Sequence, residues 1–100
     1  MITISHKGLG TEFHLKELKQ KHVTKHGALI RKAMREAGLD DMNSATLAQY
    51  HEWTVQAAFD AAWFAEPETF DVAEAPPNVI VWLAKEINRI YLEAIEIPKN

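Results

Sequence analysis

Five histidines are the side chains of this 100-residue chain best suited to chemistry, and His22 and His26 stand four residues apart in His22-Val23-Thr24-Lys25-His26. That spacing puts both imidazoles on one helix face, which is half of a zinc site. Zinc needs a third ligand and usually a fourth, and no aspartate or glutamate stands at the right offset nearby. Lys25 would repel a cation, and the glutamate of the zinc-protease motif is absent. The pair therefore reads as partly exposed polar residues. No cysteine is present to serve as nucleophile or thiolate ligand, and Ser5 and Ser44 sit in no nucleophile elbow. Gly8-Leu9-Gly10 lacks the strand, glycine-rich turn and helix order of a phosphate loop. Asp40-Asp41 fits the turn before a helix better than an acid–base dyad. These exclusions point away from an enzyme, a metal site and an organic cofactor.

The remaining chemistry is charge. Residues 1–38 hold eight bases against three acids, net +5, and residues 39–100 hold three bases against eleven acids, net −8. Such a polar chain can meet nucleic acid, an acidic partner or a second copy of itself, or can fold one half on the other. Lys16, Lys19, Lys25, Lys32 and Arg35 could face phosphates, but no recognition-helix signature accompanies them. Nucleic acid is therefore ranked behind protein partners.

The elements that must position these groups follow from periodicity. Ile2-Thr3-Ile4 and Phe13-His14-Leu15-Lys16 alternate apolar and polar around Gly8 and Gly10, predicting a β-hairpin over 1–16. A hairpin alone is marginal, so it must lean on a helix or extend a sheet. Its edge is open to a neighbouring subunit. Residues 17–65 read as helical. A first helix from Glu17 to Ala37 carries His26, Ile30, Ala33 and Met34 on its stripe and ends at Gly38. Gly27 costs ~1 kcal/mol there relative to alanine and marks where the helix could break. A second helix from Ala45 to Ala65, with Asn43 or Ser44 as N-cap, is apolar on more than one side. Residues 66–77 read as an extended acidic linker containing Phe70 and Val72, because the residue before a proline avoids helical angles. An amphipathic helix over 78–97 follows, started by Pro77 or Asn78 and stopped by Pro98. It gathers Val79, Ile80, Leu83, Ala84, Ile87, Ile90 and Tyr91 on one face. The fold class is α+β, mainly α: a short N-terminal hairpin followed by three helices in a single domain, 1–100.

Composition agrees, with 47% hydrophobic and 25% charged residues. No stretch reaches the roughly 20 apolar residues of a membrane span. The N-terminal residues lack signal-peptide order. A soluble, intracellular, non-membrane protein is expected. Trp53, Trp63, Phe64, Phe70, Trp82 and Tyr91 are the candidate partner-binding residues, since aromatic side chains dominate interface hot spots. A partly exposed Trp63-Phe64 pair would suit that role.

The landmarks Ala62-Trp63-Phe64, Pro67, Pro77, Val79, Trp82-Leu83, Ile87, Tyr91 and Ile97-Pro98, with the helix end Arg31 to Gly38, give the chain a family likeness. From about residue 28 onward it resembles small tail-assembly chaperones of long-tailed bacteriophages and prophages. The resemblance implies a non-catalytic protein of the host cytoplasm that coats the helical, apolar tape measure protein until tail tube subunits polymerise around it. It further implies self-association, and a longer frameshifted product for which Lys99-Asn100 could encode part of the slippery site. On this reading the partners are the tape measure protein, the tail tube protein and other copies of the chain. The client helix would lie in a shallow groove between the second and last helices, with Trp63, Phe64, Trp82 and Tyr91 as anchors. The alternatives are a small phage nucleic-acid-binding or regulatory protein using residues 16–35, and a structural tail or head–tail connector component.

Overall fold

The computed structural model describes residues 2–6, 8, 10 and 12–95. Strands β1 (Ile2–Ser5) and β2 (Glu12–Leu15) pair antiparallel, with Ile2 opposite Leu15 and Ile4 opposite Phe13. Alternate side chains point to opposite faces, so Ile4, Phe13 and Leu15 turn inward and are buried. On the other face Thr3 Oγ1 and His14 Nδ1 are 3.0 Å apart. The Gly10 N–H closes the turn on the His6 carbonyl at 3.1 Å, with Gly10 at φ 68°.

The hairpin extends into a sheet. Strand β3 (Phe64–Glu66) joins β2 antiparallel, giving the order β1-β2-β3. The sequence pattern carries the second helix on to Ala65, into this strand. Helix α2 instead spans Leu47–Asp60, and Ala62 leaves it in the left-handed conformation, φ 60°. The Ala62 N–H bonds Phe59 O and the Trp63 N–H bonds Ala58 O, at 3.0 and 3.2 Å. This is a Schellman ending, and it redirects the chain along β2. The N-cap is also corrected, from Asn43 or Ser44 to Thr46. Its Oγ1 accepts the Gln49 N–H at 3.1 Å while Gln49 Oε1 accepts the Thr46 N–H at 2.9 Å.

Helix α1 (Gln20–Glu36) runs unbroken through Gly27. One alanine-to-glycine penalty is small beside a ladder of 17 residues packed along α2. It ends as α2 does, with the Gly38 N–H on Arg35 O and the Leu39 N–H on Met34 O, both at 3.0 Å. Here the left-handed residue is the glycine, φ 75°. The acidic linker is not wholly extended: a single 3-10 turn, Val72–Glu74, buries Val72, and Asp71 caps it by accepting the Glu74 N–H. Helix α3 (Pro77–Ile95) buries Val79, Ile80, Leu83, Ala84, Ile87 and Ile90, the face its periodicity marks. The expected end at Ile97 and stop at Pro98 lie outside the described residues.

Helix α2 is the centre. It packs α1 on one side and α3 on the other, and the sheet closes one end over Phe59, Phe64 and Trp63. The fold is α+β and mainly α, a hairpin followed by three helices, as its patterning predicts. Among the described residues no helix is long and apolar enough to cross a membrane.

Candidate functional site

The six candidate anchors separate into core and surface. Trp63 is 1% exposed, and its indole N–H donates to the Lys16 carbonyl at 2.9 Å. The Lys16 N–H returns a bond to the Trp63 carbonyl at 2.9 Å. Phe64 is equally buried, stacked on Phe59 at 4.0 Å with 14° between planes and edge-on to Phe13. The expected partly exposed Trp63-Phe64 pair is thus corrected: both rings join the sheet to α2. Phe70 is half-buried and lies over Phe59, with its edge to Phe13, anchoring the acidic segment. Trp82 is half-buried against the hairpin, 5.0 Å from the His6 ring and 6.1 Å from Phe13. Trp53 is half-buried in a small recess of about 220 Å³ between α1 and α2, beside Leu29, Ala33 and Gln56.

Tyr91 sits elsewhere, together with Ile30 and Leu92, which a search for aromatic anchors passes over. Helices α1 and α3 both rest on α2 yet barely touch each other. The gap between them is a groove of about 460 Å³ lined by His26, Ile30, Tyr50, Asn88, Tyr91 and Leu92, with Gly27 and Arg31 on the α1 wall. Between the second and last helices, where the client groove was expected, lies a smaller recess of about 260 Å³ lined by Ala48, His51, Glu52, Ile80 and Val81, and none of the four expected anchors lines it. Asn88, Tyr91, Leu92 and Ile95 follow the i, i+3, i+4, i+7 spacing of one helix face. Leu92 is 60% exposed and Ile95 49%. The Asn88 amide is 3.4 Å from the Tyr50 hydroxyl and fixes the groove floor.

The histidines are also placed differently from expectation. His22 and His26 are buried rather than partly exposed. His26 Nε2 donates to the Thr54 carbonyl at 3.1 Å, tying α1 to α2 at the groove wall, with its ring 5.9 Å from that of Tyr91. Burial holds His26 below the ordinary imidazole value, and the bond to Thr54 offsets part of that. His22 is lowered by burial first, then by Lys21, Lys16 and Lys19. Its Nδ1 accepts the Lys19 N–H at 3.0 Å, satisfying a donor at the start of α1. Among the described residues no group of three histidine or acidic side chains could hold a metal ion.

Two sequence signals went unread. Thr46-Leu47-Ala48-Gln49 has the Ser/Thr-x-x-Glu/Gln form of a capping box. Leu92 stands off the main apolar stripe of α3, and such an offset residue is what a second contact surface would use. Comparison with protein-family models, with curated proteins and with solved structures returns no match.

Proposed function

We propose that this protein is a non-catalytic chaperone that shelters an amphipathic helix of a client in the groove between α1 and α3. The observation that carries the reading is the groove itself, bounded by Ile30 on one wall and by Tyr91 and exposed Leu92 on the other. Two helices splayed on a third leave the fourth place of a small helical bundle open, and a client helix fills it by burying its apolar face. Following the resemblance of the aromatic and proline landmarks, the client is the tape measure protein of a phage tail, and the chaperone acts in the host cytoplasm during tail assembly.

Co-expression with that long helical protein tests the reading. The wild-type chain should raise the client's soluble yield and co-purify with it. Leu92→Glu should abolish both effects while leaving thermal stability within about 0.5 kcal/mol of wild type, since an exposed side chain contributes little to folding. A client whose solubility is indifferent to the wild-type chain, or to Leu92→Glu, refutes it.

A further inference from the structure

Lys16, Lys19, Lys21 and Lys25 ring a recess of about 570 Å³ where α1 begins and α2 ends, floored by Ala61 and Ala62. Glu17 is the one carboxylate in its lining. All four lysines are exposed. The ion pairs of the described residues, none longer than 4.0 Å, involve other side chains, so these four ammonium groups have no internal partner there. His22, in the lining of the recess, is lowered first by burial and then by the positive field of Lys21, Lys16 and Lys19.

The cationic line continues beyond the recess. Lys21, Lys25, Lys32 and Arg35 fall within an arc of about 80° on α1 and extend about 21 Å along its axis. All four are exposed; Lys32 has a surface partner, Glu36, at 4.0 Å. An isolated phosphate would use one end of such a line, whereas a chain of phosphates would use its length.

We infer that this face holds the phosphate backbone of a duplex nucleic acid without reading its sequence. Lysines act on phosphate as point charges and require no fixed orientation. A single strand would call for exposed aromatic side chains on which its bases stack, and the one aromatic ring in the recess lining, the His22 imidazole, is buried. An acidic protein segment would call for an apolar anchor at the centre of the contact, and the lining offers two alanine methyls. The acidic remainder of the chain confines binding to this one face. The surface is distinct from the α1–α3 groove, so either can fail without the other.

Four phosphate contacts predict a slope of about −3.6 in log affinity against log salt, roughly a hundredfold loss between about 50 and 200 mM. The test is fluorescence anisotropy of the full chain with a labelled mixed-sequence duplex of ~20 base pairs. Lys21→Gln/Lys25→Gln should weaken binding and flatten the slope by about 2. Lys85→Gln, an exposed lysine on α3, should change neither. Absence of binding at the lowest salt overturns the inference, as does a slope indifferent to the double substitution. So does equal displacement by inorganic triphosphate at the same phosphate concentration. A double variant that alters the particle mass of the protein rather than its duplex affinity would assign the face to a second copy instead.

Discussion

Replacing Ala62 by glycine should stabilise this protein, although it deletes a methyl group. Ala62 is the left-handed residue of the Schellman turn that ends α2, at φ 60°. In that conformation an L-residue's Cβ crowds the following carbonyl at a cost of roughly 1–2 kcal/mol, which glycine escapes. Glycine also widens the unfolded ensemble, returning about 0.4–1 kcal/mol. The difference spans about 0–1.6 kcal/mol, and its middle is a net gain of about 0.5–1 kcal/mol. Ala62 is exposed, so no packing term enters. For a domain of this size that gain raises Tm by roughly 2–8 °C. The same turn at the end of α1 supplies the reciprocal experiment. Gly38 has φ 75°, and nothing lies within 4 Å of a Cβ added there, so Gly38→Ala should lose a similar amount through backbone conformation alone. Thermal and urea unfolding followed by circular dichroism would measure both. Ala62→Gly lowering Tm, or leaving it unchanged while Gly38→Ala is neutral, would refute the argument that backbone strain sets stability at these two ends.

Thr46→Ala removes the side-chain acceptor of the α2 capping box and should cost about 1 kcal/mol by urea unfolding, with Thr46→Ser close to wild type. Stability should also fall in acid. The unfolded chain takes up protons on His22 and His26 more readily than the native one, whose imidazoles are lowered. Their contribution is therefore full above the ordinary imidazole value, about 6.5, and is lost as pH falls through it toward the native values. A proton on His22 Nδ1 also removes the acceptor of the Lys19 N–H. His26→Gln, followed by Tm between about pH 7.5 and 5.5, should show a shallower decline than wild type; an identical decline would exclude His26 as a contributor.

The elements with a long or regular pattern were legible in the sequence. The period-2 residues around Gly8 and Gly10 gave the hairpin, and the stripe from Val79 to Ile90 gave the buried face of α3. What escaped the reading lacked a local mark. A left-handed alanine resembles any alanine in the Ala61-Ala62 run, so the end of α2 was hidden. Phe64–Glu66 is too short for alternation to declare a strand. Burial of Phe64 follows from that missed strand, whose pairing with β2 sets its ring against Phe13 and Phe59, while Trp63, just before the strand, is buried with its indole bonded to Lys16. The histidine pair occupies one helix face as read, but whether that face meets α2 or water is a tertiary matter. The groove is likewise set by which two helices stay apart, and each helix's own periodicity is silent on that.

The paired bonds between Lys16 and Trp63 bind positions 47 residues apart. During synthesis, β2 therefore gains no outer neighbour until the 47 residues that follow Lys16 have also left the ribosome. Until then Phe13 and Leu15 have no sheet partner beyond the hairpin, and ring closure over such a span slows consolidation. A fragment truncated before Phe64 would carry an unzipped strand margin, prone to join its counterpart on another nascent molecule.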